Sequence, residues 1–295
     1  MSKEIYGYLS VIGAASLWGI GGAVAKFLFN QDVSPFVLVK IRLLLSFILL
    51  VMGLWIYNPR LLYIPRQEIP YFVRLGVFGM AMLQFFYYLT ISLTNVATAV
   101  FLQYLSPVLI AMYTVIWEKI KLSWQQKAAV FAAAVGGLLI MLDAGGIQGL
   151  TAWGLASGLA AAVAAAFNTI YIRRAVRDYH PITAVTYSCG FGALFCWLVM
   201  PYAGEFNVIM GQPLMLLYVV VFSTIIPFML YFWGLRYLSA TNVSVTSSLE
   251  PVIAALTAYL ALGETMGVLQ MIGGLLVLVA VCMLQYNSVR VQQVS

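Results

Sequence analysis

Residues 242–262 read NVSVTSSLEPVIAALTAYLAL. The stretch is about as long as a helix that crosses the hydrocarbon core of a bilayer, which takes roughly 20 apolar residues. Glu250 and Pro251 stand near its middle. At about 1.5 Å per residue the carboxylate lies about 12 Å deep. On insertion scales a charge at that depth costs about 2.5–3.5 kcal/mol, so it must be paired, neutralised or wetted by a cavity. Pro251 has no N–H for the carbonyl of Ser247, and its ring opens that turn. Discontinuous helices of this kind form many transporter sites.

The rest of the chain has the same character. Apolar residues make up 63% of its 295 positions and charged ones 8%, with a mean hydropathy of +0.99. A soluble fold of this length needs far more surface charge. Apolar runs fall at 5–28, 34–57, 71–93, 95–117, 123–142, 150–172, 182–202, 214–237, 242–262 and 267–286. These ten runs predict an all-α, polytopic membrane protein. They are apolar throughout rather than alternating, which disfavours a β-barrel. The first is too long for the apolar core of a signal peptide, and more spans follow it.

Charge placement orients the bundle. With the N-terminus inside, every Lys and Arg falls on the interior side except Lys26, Lys40 and Arg42, whereas Asp32, Asp143, Glu205 and Glu264 fall outside. This positive-inside bias predicts both termini in the cytoplasm of a multi-pass plasma-membrane protein, a bacterial inner membrane being the expected setting. It also accounts for the net charge of +6 without a nucleic-acid partner. Cys189, Cys196 and Cys282 all fall within spans and read as small core residues.

The chain also repeats itself. Shifted by 144 positions, Tyr87-Tyr88 falls on Tyr231-Phe232, Leu105-Ser106-Pro107-Val108 on Leu249-Glu250-Pro251-Val252, and Gln126 on Gln270. The matches keep their order and depth. Five spans per half is an odd number, so the second half enters from the opposite side. The predicted units are 1–143 and 150–286, related as inverted repeats, with 287–295 as a cytoplasmic tail. Carriers use such repeats to build two gates around a midplane site.

Leu249-Glu250-Pro251-Val252, Leu262-Gly263-Glu264 and Gly273-Gly274 in the second half, with Ser16-Leu17-Trp18-Gly19, Arg42 and Pro107-Val108 in the first, resemble the EamA family of the drug/metabolite transporter superfamily. The resemblance covers nearly the whole chain as two units. It implies a ten-helix transporter with a central cavity, often an exporter of amino acids or other small metabolites. The chain departs from the pattern at Trp117-Glu118, where Gly-Glu is usual, and at Phe167-Asn168, where Trp-Gly or Trp-Ala is.

Candidate site residues are the polar groups that lipid would reject. Glu250 would bind substrate or carry a proton, with a structural ion pair as the alternative. Pro107 is the counterpart of Pro251 and frees the carbonyl of Gln103; Gln103, Tyr104 and Ser247 would join the broken backbone around a polar ligand. Lys40 and Arg42 lie in the second span and, two positions apart, face different ways; at most one would line the cavity, to neutralise Glu250 or bind a substrate carboxylate, with snorkelling to the interface as the alternative for each. Trp18, Tyr87, Tyr88, Tyr231 and Trp233 would supply deep aromatic walls, and Gln84 and Asn168 further polar lining. Glu118 and Glu264 read as surface or loop-ordering residues. Pro227 reads as a plain kink.

There is no HExxH and one histidine, His180, in a loop; no phosphate-binding Gly-rich motif occurs. The expectation is therefore a non-enzyme without metal or cofactor. Its partners would be a small-molecule substrate, protons and the lipid bilayer, and it would act as a monomer or homodimer. The function expected is secondary transport of amino-acid-like solutes, outward, by alternating access. The alternatives are an exporter of organic cations or drugs and, from another class, an intramembrane enzyme acting on lipid-linked substrates.

Overall fold

A computed structural model describes residues 3–29, 31, 33–94, 96–103, 105–143, 151–200, 211–262, 267–269, 271–280 and 283. Among the described residues every regular element is helical. The first half supplies α1 (Lys3–Phe29), α2 (Pro35–Tyr57), the long rod α3 (Arg66–Leu93), the half-helices α4 (Val96–Gln103) and α5 (Ser106–Ile116), and α6 (Trp124–Asp143). The second supplies α7 (Ala152–Asp178), α8 (Pro181–Val199), α9 (Pro213–Tyr237), the half-helices α10 (Ala240–Ser247) and α11 (Leu249–Leu262), and α12 (Met271–Ala280). Six of these, α1, α2, α3, α7, α8 and α9, are long and apolar enough to cross a membrane.

The predicted spans 95–117 and 242–262 are each two helices. Both breaks fall just before a proline, at Leu105 ahead of Pro107 and at Ser248 ahead of Pro251. Proline is comfortable in the first turn of a helix and costly inside one. Each proline has therefore become the start of a new helix. Pro35, Pro181 and Pro213 open α2, α8 and α9 for the same reason. The Thr151 side chain caps α7 by accepting from the Gly154 N–H at 3.0 Å.

Burial runs opposite to that of a soluble protein. On α2, Lys40 and Arg42 are 1% and 3% exposed, while Met52 is 54% exposed. The outward faces of α2 and α8 carry Ile48, Leu49 and Leu198. Polar groups are gathered inside because lipid offers them no hydrogen bond.

The two halves interlock by exchange. In the first half, α1 lies against α9, α10 and α11; its counterpart α7 lies against α3, α4 and α5; and α2 lies against its own counterpart α8. Close backbone approach makes this possible. A Cβ at Gly19 would lie 2.8 Å from the Glu250 carbonyl oxygen and 2.9 Å from Ile253 Cβ. Gly158 of the GxxxG on α7 meets Leu102 within the same chain.

Arg173 and Arg174 belong to the last turns of α7, which runs beyond the predicted end at 172. They reach back to the first half, Arg173 Nη1 to Glu118 at 2.8 Å and Arg174 Nη2 to Glu68 at 2.6 Å. These partly exposed pairs contribute about 0–1 kcal/mol each. Tyr71 is 7% exposed. Its hydroxyl donates to the Tyr171 carbonyl and accepts from the Ala175 N–H at 3.2 Å, because the longer α7 covers it. Tyr57 and Tyr63 are exposed, as a belt requires.

Gly19→Ala should lower the thermal unfolding midpoint in detergent, since its methyl meets the backbone at the α11 break. Gly22→Ala should leave the midpoint unchanged, because a Cβ there meets nothing within 4 Å. Equal effects of the two substitutions would contradict this packing.

Candidate functional site

At the seam between the halves lies a cavity with about 90 Å³ of room for water-sized guests. Trp18 enters it from α1, Arg42 from α2, Gln84, Tyr87 and Tyr88 from α3, and Gln103 from the end of α4. The second half returns Asn168 from α7, Tyr231 from α9, Ser247 from α10 and Glu250 from α11. Residues scattered over 230 positions of sequence thus converge on one space that is polar on several sides.

Arg42 is its best-defined feature. Nε donates to Thr224 Oγ1 at 2.9 Å, Nη1 to Gln84 Oε1 at 3.2 Å and to the Tyr88 hydroxyl, and Nη2 to the Ser223 carbonyl at 2.6 Å. The acceptors are neutral. They come from α3 in the first half and α9 in the second, so the guanidinium ties the halves together. Charge-assisted bonds of this kind contribute about 1.5–3 kcal/mol each.

A local irregularity makes the Ser223 carbonyl available. In a regular α-helix that oxygen would accept from residue 227, and residue 227 is proline. The helix widens to π geometry over Val221–Ile225 just before it, and the Thr224 hydroxyl donates to the Val219 carbonyl at 2.9 Å. Pro227 is thus more than the plain kink expected: it leaves a carbonyl for Arg42. The first half has a π segment at Leu75–Ala81, in the corresponding part of α3.

Glu250 occupies the first turn of α11. The break at Ser248 therefore places a helix N-terminus inside the protein, and a carboxylate there is favoured by the helix dipole. Glu250 is 8% exposed and lines the cavity. Aromatic side chains form one wall, with the Trp18 ring 5.0 Å from Phe228 and 5.4 Å from Tyr231. The Tyr231 and Thr169 hydroxyls are hydrogen-bonded at 2.6 Å, fastening α9 to α7.

The chain matches a family model, EamA-like transporter family, over residues 5–142 and again over 152–286. Over 298 aligned residues, and 98% of both chains, it is 30% identical to an uncharacterized inner membrane transporter of Salmonella typhimurium, YicL. It is 27% identical over 198 residues, 66% of this chain and 69% of the relative, to an uncharacterized transporter of Archaeoglobus fulgidus. A crystal structure at 19% identity superimposes with a TM-score of 0.74 over 97% of this chain and 98% of that one, a likeness of fold.

The chain belongs to the EamA-like transporter family.

It is accordingly a multi-pass membrane transporter built from two EamA repeats. Within this EamA protein the nominated residues divide. Tyr104 lies outside the described residues. Lys40 does not reach the cavity: its ammonium sits 4.4 Å from the Trp197 ring centroid and 3.4 Å from the Met200 carbonyl. The two-residue spacing from Arg42 turns it about 200° around α2. Trp233 is likewise two positions from Tyr231 and faces away, with its ring 5.4 Å from His180 and 6.2 Å from Tyr237. Pro107 and Pro251 stand at the two helix breaks as expected.

Sequence reading missed Thr169, Ser223 and Thr224. Their signal was present in part: a hydroxyl pair sits three and four positions before a proline in an apolar run. What could not be seen was which helix they would face.

His180, beside Trp233, caps α8, its Nδ1 accepting from the Ile182 N–H at 3.3 Å. Burial, and secondarily the charge of Arg236, hold its pKa below the usual histidine value. The folded state therefore prefers the neutral ring, and this contribution is lost as pH falls through the ordinary histidine range. Between about pH 7.5 and 5.5 the melting midpoint should fall further for the native chain than for His180→Asn, which caps without titrating. Identical slopes would remove the cap from the account.

Arg42→Lys should destabilise the protein by about 2–4 kcal/mol in denaturant titrations, since an ammonium cannot span the same four acceptors. A loss below about 1 kcal/mol, the scale of one neutral hydrogen bond, would mean the guanidinium cage contributes little to stability.

Proposed function

We propose that this EamA protein is a secondary carrier for small amino-acid-like solutes, working outward by alternating access with both termini in the cytoplasm. The carrying observation is the cavity at the repeat seam, into which the first half sends Arg42 and the second sends Glu250. The two repeats would run in opposite directions and rock about this space, opening it to each side in turn. The helix breaks before Pro107 and Pro251 support the reading, because they bring Gln103 and Ser247 to the cavity beside backbone freed from its ladder. The glycine contacts of α1 with α11 allow one half to slide on the other without separating.

Glu250 would hold either a proton or the ammonium group of the solute. Exclusive occupancy of one carboxylate couples the two: solute arriving from one side displaces the proton, and a proton from the other displaces the solute. Among the described residues, Arg42, Tyr87, Tyr88 and Tyr231 are the other ionisable groups that line the space.

Glu250→Gln tests this directly. In vesicles carrying the purified protein, leucine counterflow should vary with pH for the native chain and be flat for the variant. Native-like pH dependence in the variant would remove Glu250 from coupling.

A further inference from the structure

A second space lies beyond the cavity. It has about 830 Å³ of room, where α5, α7 and α9 end and α1 and α10 begin. The positive-inside reading makes this side cytoplasmic. The same helix faces line both spaces. Thr169 and Tyr231 line the cavity; Arg173 and Leu235, each four positions further along α7 and α9, line the basin. On α5, Ser106 lines the cavity and Tyr113, seven positions on, the basin. Spacings of four and seven keep to one face of a helix.

An apolar layer stands between the two. Ile110 falls between Ser106 and Tyr113 on α5, and Ala240 between Ser239 of the basin and Ser244 of the cavity. With Ala166 they form a buried cluster of their own, against which Leu109 and Ile170 pack. The Thr169–Tyr231 hydrogen bond ties α7 to α9 on its cavity side.

The basin is cationic. Lys3, Arg173, Arg174, Arg177 and Arg236 line it, against one acid, Glu118. Glu118 is bonded to Arg173 at 2.8 Å. Glu68 pairs with Arg174 at 2.6 Å and Asp178 with Arg177 at 3.4 Å. Among the described residues, Lys3 and Arg236 have no ion-pair partner. Gly7 brings α1 against the end of α9, since a Cβ there would lie 2.9 Å from Leu238 Cγ and 3.2 Å from Tyr237 Cβ. Lys3, one turn earlier on that face, stands over the end of α9 that carries Arg236. Charge of one sign in a concave mouth draws in counter-ions and turns away like charges, with encounter rates raised by about 10–10³. Topology alone asks for cations on this side, and Arg60 and Arg66 meet that need on the exposed turns between α2 and α3. It does not ask that two cations without acids face a basin in line with the cavity.

We propose that this basin is the loading vestibule for outward transport, and that Lys3 and Arg236 make it selective for acidic and zwitterionic solutes over cations. This rests on the reading of the protein as an outward carrier. A solute carboxylate is attracted there before the apolar layer parts. An organic cation is repelled at the same point, whatever the cavity beyond would accept.

Glutamate, glutamine and ornithine share one carbon frame and differ in side-chain charge: negative, neutral and positive. Each is titrated against the thermal unfolding midpoint of the purified protein in detergent at low ionic strength. At about 8 Å in water one unit charge changes affinity about 2.4-fold, so two cations together give about sixfold. Glutamate should therefore bind about sixfold more tightly than glutamine, and ornithine about sixfold more weakly. Lys3→Gln combined with Arg236→Gln should bring all three within about twofold. Arg60→Gln combined with Arg66→Gln removes the same charge from the same side and should keep the native ranking. Salt at about 0.5 M should flatten it. All four positions are exposed, and unliganded midpoints show that each variant folds. The proposal is overturned if ornithine binds the native chain as well as glutamate does. It is also overturned if the Lys3 and Arg236 substitutions leave the ranking in place, or if the Arg60 and Arg66 substitutions flatten it equally. Binding in detergent needs no flux. The predicted ranking without counterflow of any of the three therefore sinks the carrier reading alone, and counterflow with a flat ranking sinks this proposal alone.

Discussion

A guanidinium buried in a protein that lipid surrounds must find acceptors within the protein. Arg42 meets that requirement on α3 and α9, in different halves of the chain. The π segment of α9 and Pro227 are best understood from this need. A regular helix would keep the Ser223 carbonyl in its own ladder, and the proline releases it. The same contact fixes how far α9 stands from α2 and α3, and hence the width of the cavity between them.

The exchange packing follows from a related constraint. Each half carries small residues and polar groups on the face that the other half covers, and neither face could be left to lipid. With α1 of one half inserted among α9, α10 and α11, and α7 among α3, α4 and α5, the corresponding helices of the two halves are covered in the same way. Two repeats placed this way share a hydrophobic core and meet along a seam. The cavity is that seam where the side chains are too short or too polar to fill it.

Within the seam the repeats have diverged in charge. Glu250 stands where the first half has Ser106. Counting from the prolines that open α2 and α8, Pro35 and Pro181, Arg42 stands where the second half has Ser188. One half thus brings the cation and the other the anion. A symmetric pair would have placed like charges across a narrow space of low dielectric, where repulsion is strong. Division of the two signs between the halves also means that any motion of one against the other changes the distance between them.

The membrane class, the number of repeats and the burial of Glu250 were legible in the chain alone, because lipid sorts residues by polarity and the 144-residue echo survives in Leu-Ser-Pro-Val and Leu-Glu-Pro-Val. Most of the cavity lining could be nominated for the same reason: Gln84, Gln103, Asn168 and Ser247 are polar at depths where nothing polar is tolerated idly. The sequence did not separate Arg42 from Lys40, or Tyr231 from Trp233. Each pair has like chemistry at like depth, and the outcome depends on the rotation of a helix about its own axis. That rotation is set by contacts about two hundred residues away, such as Gly19 on the Glu250 carbonyl and Arg42 on the α9 bulge. Depth is a property of each segment taken singly; direction is a property of the assembled bundle, and only the tertiary structure decided it.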